Sequence, residues 1–189
     1  DTFKKRILLG YSMGARAALQ PACTYPNAWD ALILISANPG VEAKLDREQR
    51  RQADIKLAED ILNEGTAVFI AKWQEQALIY PQKLIRPDWY EKMQANRLRH
   101  PKEGLANNLK YFGQGTAPNL WPHVGTLKMP TLVITGSSDQ KYTEIGKRMD
   151  SYLPNSKHIQ IEGVSHMPHL EAPEKAAQVI EEFIANALS

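Results

Sequence analysis

The chain has 189 residues, of which 43% are hydrophobic and 23% are charged, and its formal net charge is +2. This composition is typical of a globular protein, and the small net charge, with basic residues scattered along the chain, argues against a nucleic-acid partner. No apolar stretch approaches the roughly 18 residues of a membrane-spanning helix, so no membrane partner is expected, and the single cysteine, Cys23, excludes an internal disulfide and favours a reducing, cytoplasmic compartment.

The first predicted elements are a buried strand at 5–10 and a helix at 15–23, which flank the stretch GYSMG at 10–14. A strand, a tight turn with Ser12 at its apex and a helix form the nucleophile elbow, G-x-S-x-G, which raises a serine hydroxyl above a parallel sheet. Both glycines are expected because a side chain there would collide with the neighbouring strand or helix. The N–H of Met13 then opens the helix, where it can stabilise an oxyanion. The alternative is an ordinary glycine-rich turn.

A second buried strand is predicted at 31–36, and its uninterrupted apolar run is typical of a parallel sheet covered on both faces. A central parallel strand needs neighbours on both sides and is normally reached after several strand–helix units. The elbow strand begins within the first ten residues. We therefore expect the chain to be the C-terminal portion of a longer protein, with residues 1–40 as one part of its core.

Residues 41–124 are more charged, show no strand pattern and have apolar residues at helical spacing. Four helices are predicted there, at 45–62, 66–80, 87–98 and 102–112. Such a segment between strands of a sheet predicts a helical cap, and caps of this kind cover an active site and select its substrate. The alternative is a helical wall with no function of its own.

Strands return in residues 125–189, which we predict to be the second part of the core. The pattern predicts strands at 131–136 and 157–161 with a helix at 143–153 between them. A terminal helix at 174–188 starts after Pro173, which suits a first helical position. The expected fold class is α/β, with a mostly parallel sheet and an inserted helical cap.

Two polar residues follow the last two strands, where open α/β sheets build their sites. Asp139 follows strand 131–136 and His166 follows strand 157–161. A serine hydroxyl needs an imidazole to take its proton, and the imidazole needs a carboxylate to fix its tautomer. Ser12, Asp139 and His166 are therefore predicted to form a catalytic triad, with His169 as a poorer alternative to His166.

A second group of candidates is basic. Arg16 lies four residues after Ser12, one helical turn along and on the same face, so it is expected to face the reaction site. The cap adds further candidate arginines, which are Arg47, Arg50, Arg51, Arg97 and Arg99. Guanidinium groups bind carboxylates bidentately, which predicts an anionic substrate with several carboxylates, although any one cap arginine could simply lie on a solvated face. No metal-ligand spacing or phosphate-binding glycine loop is present, so no metal or cofactor is expected.

Several segments together resemble a known family. They are 10–16 (GYSMGAR), 38–40 (NPG), 47–51 (REQRR) with Asp54, 69–73 (FIAKW), 97–99 (RLR), 104–106 (GLA), 113–116 (GQGT), 118–121 (PNLW), 136–141 (GSSDQK) and 163–166 (GVSH). The chain resembles the α/β-hydrolase superfamily throughout. Within it, the cap segments resemble the MenH family of menaquinone biosynthesis.

That resemblance implies a lyase that eliminates pyruvate from 2-succinyl-5-enolpyruvyl-6-hydroxy-3-cyclohexene-1-carboxylate to give 2-succinyl-6-hydroxy-2,4-cyclohexadiene-1-carboxylate. It implies that Ser12, activated by His166 and Asp139, is the base. It also implies a set of substrate-binding residues, which are Tyr11, Arg16, Arg50, Trp73 and Arg99. Arg51 is a close alternative to Arg50, and Arg97 is a close alternative to Arg99.

The chain departs from the family pattern in two places. Ala15 stands where the family usually has a third glycine. The expected N-terminal part, with the first strands and a His-Gly loop that gives a second oxyanion N–H, is not in the chain. Two other hypotheses therefore stay open. One is another serine-triad enzyme, such as an esterase or a carbon–carbon bond hydrolase. The other is a catalytically silent fragment that folds with a missing N-terminal segment.

Overall fold

The computed structural model describes residues 4–187 and divides the chain into two compact units. The first unit takes Asp1–Pro39 and Leu120–Ser189, and the second takes Gly40–Asn119. The sequence prediction assigned residues 120–124 to the cap. In the structure they belong to the first unit, because Leu120, Trp121 and Val124 pack into its hydrophobic core.

The first unit is built on a four-stranded sheet whose neighbouring strands are all parallel. Its strands, in spatial as in chain order, are β1 (Ile7–Tyr11), β2 (Ala31–Ile35), β3 (Thr131–Gly136) and β4 (Ser156–Ile161). The predicted parallel sheet is thus confirmed. Because parallel strands end at the same edge, Tyr11, Ile35, Gly136 and Ile161 bring the loops that follow them to one side.

The α-helices alternate with these strands or lie in the second unit. In chain order they are α1 (Met13–Thr24), α2 (Lys44–Glu64), α3 (Thr66–Trp73), α4 (Pro87–Leu98), α5 (Lys102–Phe112), α6 (Trp121–Val124), α7 (Gln140–Tyr152), α8 (Pro168–Glu171) and α9 (Pro173–Ala187). Short 3-10 helices cover Pro26–Ala28 and Tyr80–Leu84. Within residues 4–187, no helix has the length and apolar character needed to cross a membrane.

The two middle strands of the sheet, β2 and β3, are covered on both faces, and this explains their continuous apolar runs. Side chains alternate between the two faces of a strand. In β2, Leu32 and Leu34 pack with Ala15 and Leu19 of α1 in one core cluster. Their neighbours Ile33 and Ile35 pack in a second cluster with residues of α9. All five residues of β2 are buried, so no position of the strand is left for a polar residue.

The second unit is helical over the residues described. Helix α2 packs against α5 and α3, and α3 packs against α4. Its most buried polar group is the carboxylate of Asp54 on α2, which is 1% exposed and accepts a hydrogen bond from the Gly115 N–H at 3.3 Å. Residue 115 is a glycine because an added Cβ would lie 2.2 Å from the backbone nitrogen of Arg51.

Most predicted elements are found within two or three residues of their predicted ends, but one helix is shorter than expected. The predicted helix 66–80 ends at Trp73, and the chain continues through turns into the 3-10 helix Tyr80–Leu84. The four-residue helices α6 and α8 were not predicted, because a single turn is too short to show a periodic pattern.

Candidate active site

Ser12 occupies a strained turn between β1 and α1. Its φ is 50°, in the left-handed region that residues other than glycine rarely adopt. The Ser12 N–H donates to the carbonyl of Ile35 at 2.9 Å, which ties the turn to the end of β2. An added Cβ at Gly10 would lie 2.3 Å from the carbonyl oxygen of Gly14, so the turn requires glycine at position 10.

A side chain at Gly14 was also expected to collide with the neighbouring strand or helix, and this expectation was wrong. An added Cβ there would meet no atom of the described residues within 4 Å. Gly14 lies on an exposed side of the first turn of α1, where a methyl group has open space. The two glycines of the elbow are therefore not equivalent in this chain. Close backbone approach requires a glycine at position 10, whereas no atom among residues 4–187 requires one at position 14.

Asp139 stands at the N-cap of α7, directly beyond β3. Its Oδ1 accepts from the N–H of Tyr142 at 3.2 Å, and its own carbonyl accepts from the N–H of Thr143 at 2.9 Å. This capping bond satisfies one of the helix's first-turn donors and fixes the carboxylate. It also explains why α7 begins at Gln140 and not at the predicted 143.

His166 joins the other two residues through both of its ring nitrogens. Its Nδ1 lies 2.6 Å from Asp139 Oδ2, and its Nε2 lies 2.9 Å from Ser12 Oγ. The His166 and Asp139 side chains are each only 2% exposed. The structure therefore brings the three predicted triad residues into one hydrogen-bonded chain. With the proton on Nδ1, the imidazole can accept the hydroxyl proton of Ser12 at Nε2.

Aromatic rings surround this imidazole. The ring of Tyr142 packs edge-on to His166 with centroids 4.3 Å apart, and the ring of Tyr11 lies 5.5 Å away. Tyr142 is buried, so this contact also keeps water from that part of the imidazole. Tyr11, predicted as a substrate-binding residue, is the last residue of β1 and thus lies beside the triad.

His169, the alternative to His166, occupies a different position. Its ring packs against Tyr11 with centroids 4.5 Å apart, and it takes no part in the Ser12–His166–Asp139 chain. Burial, together with the nearby charge of His166, lowers the pKa of His169 to about 4. At neutral pH His169 is therefore an uncharged aromatic neighbour of the site.

The other first-unit candidates lie on α1. Met13 is its first residue, so its N–H belongs to the first turn, where N–H groups have no acceptor within the helix. Arg16 follows one turn after Ser12, and its N–H donates to the Ser12 carbonyl at 3.2 Å. Its side chain is partly buried.

In the second unit, the two adjacent arginines of α2 have different partners. Arg50 donates from Nε to Oδ1 of the buried Asp54 at 2.8 Å, and its Nη2 lies 2.7 Å from the same oxygen. Arg51 donates twice to the exposed Glu48, at 2.9 and 2.7 Å. Hydrogen bonds from Arg51 and Gln52 lower the pKa of Glu48 to about 2. Arg50 is thus bound to a buried carboxylate and Arg51 to an exposed one.

Trp73 and the arginines near the end of α4 form a second group in this unit. The guanidinium of Arg97 lies 4.8 Å from the centre of the Trp73 ring, and Arg97 also donates to the buried Gln82. Arg99 is exposed and donates to Asn96. The structure therefore places Arg97 against Trp73, whereas the sequence prediction put Arg99 in the substrate-binding set and kept Arg97 as its close alternative.

Sequence reasoning missed three residues that contact His166 or the residues beside it. Tyr142 packs on His166, Ser36 donates to the His166 carbonyl at 2.9 Å, and Glu171 accepts from the N–H groups on either side of His166. Two of them could have been found from their position in the sequence. Ser36 follows directly after β2, and Tyr142 lies three residues after Asp139. Glu171 had no signal in the sequence. Within the part of the chain that the structure describes, no cluster of three or more His, Cys, Asp or Glu side chains could hold a metal ion.

A serine elbow, an imidazole and a carboxylate at the carboxyl edge of a parallel sheet define a class of α/β enzymes. A family model described as the alpha/beta hydrolase fold matches residues 2–173, and the chain belongs to that family.

Among its relatives, a Bacillus subtilis (strain 168) protein provisionally named 2-succinyl-6-hydroxy-2,4-cyclohexadiene-1-carboxylate synthase is 36% identical over 179 residues, which are 95% of this chain and 65% of the relative. The solved structure of MenH from S. aureus is 31% identical, with a TM-score of 0.93 over 97% of this chain and 69% of that one. A thermophilic esterase from Thermogutta terrifontis, with malate bound, is 28% identical, with a TM-score of 0.82 over 98% of this chain and 66% of that one. The chain thus spans about two thirds of the length of these proteins.

Proposed function

We propose that the protein acts as a carbon–oxygen lyase of menaquinone biosynthesis, which releases pyruvate from 2-succinyl-5-enolpyruvyl-6-hydroxy-3-cyclohexene-1-carboxylate. The observation that carries the proposal is the Ser12–His166–Asp139 hydrogen-bonded chain, found in a sequence 36% identical to a relative that bears the name of this synthase. The similarity to S. aureus MenH, with a TM-score of 0.93, supports the same assignment.

In this reaction the triad serves as a base. His166 Nε2 takes the hydroxyl proton of Ser12, and Ser12 Oγ takes a proton from a ring carbon of the substrate. The electron pair of that C–H bond becomes part of the new ring diene, and the bond between the ring and the enolpyruvyl oxygen breaks. Pyruvate leaves after its enolate is protonated on carbon, so protons and electrons balance with no external oxidant or reductant.

The buried carboxylate of Asp139 supports this step electrostatically. When His166 becomes an imidazolium, a negative charge 2.6 Å from its Nδ1 stabilises it, and burial strengthens the interaction because little water screens it. The Met13 N–H, at the start of α1, is the proposed donor to an oxyanion that develops as the proton leaves carbon.

The substrate carries several carboxylates, so cationic ligands are required. Arg16 is the proposed carboxylate ligand of the first unit, and Tyr11 the proposed aromatic contact. In the second unit Arg50, Arg99 and Trp73 remain the proposed substrate residues. The contact between Arg97 and Trp73 makes Arg97 an equal candidate for the place of Arg99.

Pyruvate release provides the direct test. The protein is incubated with the enolpyruvyl substrate, and pyruvate is followed through a coupled lactate dehydrogenase assay. We expect turnover that Ser12→Ala lowers by about a thousandfold or more, because the triad acts as a unit. The matched control is Ser151→Ala, an exposed serine near the end of α7, which should keep wild-type turnover. Rapid hydrolysis of a simple ester without pyruvate release would contradict the lyase.

An esterase is the second candidate, because the chain is 28% identical to the Thermogutta terrifontis esterase. The same geometry suits acyl transfer, in which Ser12 Oγ attacks an ester carbonyl and forms an acyl-enzyme. A serine that acts as a nucleophile becomes covalently acylated, whereas a serine that acts as a base does not. Mass spectrometry of the quenched protein should therefore show an acyl adduct on Ser12 if the esterase is correct, and an unmodified Ser12 during pyruvate release if the lyase is correct.

A further inference from the structure

The backbone around His166 is held at three points by two side chains outside the proton chain. One oxygen of the Glu171 carboxylate accepts from the N–H of Ser165 at 2.6 Å, and the other accepts from the N–H of Met167 at 2.8 Å. The hydroxyl of Ser36 donates to the carbonyl of His166 itself at 2.9 Å. The peptide group between His166 and Met167 is thus bonded to side chains through both its C=O and its N–H, and the peptide group before Ser165 is bonded through its N–H.

Of these two residues, Ser36 lies far before His166 in the chain and Glu171 lies shortly after it. Ser36 follows β2 and is fully buried, with a φ of 48° and an N–H that donates to the carbonyl of Ile134 at 2.8 Å. Glu171 is the last residue of α8, so its side chain reaches back over one helical turn to the loop that precedes it. One contact fixes His166 to the sheet, and the other fixes it to its own following turn.

The loop needs such contacts because it has no regular structure of its own. It runs from the end of β4 to the start of α8 through Gly163, whose φ is 74°. Ser165, His166 and Met167 are all buried, so their backbone groups require partners inside the protein. The His166 ring must meet Ser12 and Asp139 at the same time, and a displacement of about 1 Å can cost a hundredfold in rate.

We propose that Glu171 and Ser36 are positioning residues that hold the backbone of His166 so that its ring bridges Ser12 and Asp139. The inference rests on the catalytic role of His166 in the proposed function, and it applies equally to proton abstraction and to ester hydrolysis. A carboxylate is required at position 171 because two N–H donors converge on it. A glutamine offers one acceptor oxygen, and its NH2 group would face the second N–H donor.

Glu171→Gln is the sharpest test, since it changes the second acceptor and little else in shape. Its matched control is Glu174→Gln, an exposed glutamate in the first turn of α9. Two quantities are measured: kcat and KM for pyruvate release, and the far-downfield proton NMR signal of the short His166 Nδ1–H bond, assigned with His166→Gln. We expect Glu171→Gln to lower kcat by about tenfold to a hundredfold with KM within twofold, and to broaden or abolish that signal. Glu174→Gln should change neither.

Ser36→Ala provides the second variant, and circular dichroism shows which variants are folded. If Glu171→Gln does not fold, Ser36→Ala tests the positioning role. The same lower kcat and the same broadening or loss of the downfield signal are expected. A folded variant that keeps both the downfield signal and the wild-type kcat would overturn the positioning role of the residue changed. The NMR signal needs no turnover. A wild-type protein that keeps the signal and releases no pyruvate would therefore contradict the proposed function, and the variants would still test the positioning role.

Discussion

The Nδ1 atom of His166 lies 2.6 Å from Oδ2 of Asp139, and each of the two side chains is only 2% exposed. A buried carboxylate at this distance holds the ring proton on Nδ1, because the carboxylate can only accept. The Nε2 atom is then an acceptor, and it faces the Ser12 hydroxyl at 2.9 Å. In the proposed mechanism, the direction of proton transfer from Ser12 to His166 follows from this one contact.

The first prediction concerns that tautomer. Asp139→Asn keeps an oxygen that can accept from the Tyr142 N–H and cap α7, but its NH2 group would face His166. The imidazole should then carry its proton on Nε2, and kcat should fall by about 10⁴-fold with the fold intact. Turnover and circular dichroism of the variant measure the two effects.

The control for this substitution is Glu144→Gln, in the same helix, whose carboxylate pairs with Lys147 on the surface. It removes an equal charge without touching the triad, so wild-type turnover is expected. An Asp139→Asn variant with more than a tenth of the wild-type kcat would show that the carboxylate does not set the tautomer.

The second prediction separates the two elbow glycines. Gly10→Ala should destabilise the protein by about 3 kcal/mol, because its Cβ would lie 2.3 Å from the Gly14 carbonyl and the backbone would have to shift. Gly14→Ala places a methyl group in open space within a helix, so it should be neutral or stabilising by up to about 1 kcal/mol. Urea denaturation of both variants measures the difference. Equal losses from the two substitutions would contradict the packing described for Gly10.

The third prediction follows from the lowered pKa of His169. Burial lowers this pKa to about 4, so between pH 6.5 and 4 the unfolded chain binds a proton that the folded protein does not. The stability associated with a neutral His169 is therefore fully present above about pH 6.5 and is lost as the pH falls toward 4. Integration of the shift gives a loss of about 3 kcal/mol over this range.

His169→Phe tests this linkage, because phenylalanine keeps a ring against Tyr11 and cannot titrate. The free energy of unfolding is measured by urea denaturation at pH 7.5 and at pH 4.5 for both proteins. The wild type should lose more stability than the variant across this interval. Other titrating groups, including His158, whose pKa is also lowered by burial, cancel in the comparison. Parallel curves for the two proteins would contradict the assigned shift.

The fourth prediction distinguishes Arg50 from Arg51 by stability. Arg50→Ala leaves the carboxylate of Asp54 buried without its ion-pair partner, and this should cost about 2 kcal/mol, since the Arg50 side chain itself is 44% exposed. Arg51→Ala removes a surface pair with Glu48 and should cost much less stability, because water screens an exposed ion pair. Thermal unfolding of the two variants provides the comparison, and a similar loss from both would contradict the anchoring role of Asp54. Activity measurements on Arg50 variants must therefore be made on protein shown to be folded.

The fifth prediction concerns substrate binding by Arg16. If its guanidinium pairs with a substrate carboxylate, Arg16→Ala should weaken substrate binding by about 2 kcal/mol, or roughly thirtyfold in Kd. Arg86→Ala, which removes an exposed arginine paired with Asp88, is the control and should leave Kd unchanged. Isothermal titration with the product, which keeps the succinyl and ring carboxylates, measures both. An unchanged Kd for Arg16→Ala would refute its role as a carboxylate ligand.

Features that depend on neighbours in the chain were predictable from the sequence. Helices α4 and α5 begin and end at the predicted residues, because a proline begins α4, another directly precedes α5, and the apolar residues of α5 are regularly spaced. The elbow at Ser12 was recognisable for the same reason, since a strand, a turn and a helix follow one another within a short stretch. The positions of Asp139 and His166 could be read from the ends of two strands, once a parallel sheet was expected.

Tertiary structure alone decided the contacts between distant residues. Ser36 and His166 are 130 residues apart, and they meet only because β2 lies next to β3 and β3 next to β4 in the sheet. Arg97 and Arg99 differ by two positions at the end of a helix, yet only the packing of α3 on α4 brings Arg97 to Trp73. Local sequence patterns were enough to predict where the strands end and which reactive side chains follow them. Strand order and side-chain packing determined which of those groups touch, because no local signal specifies a contact across a hundred residues.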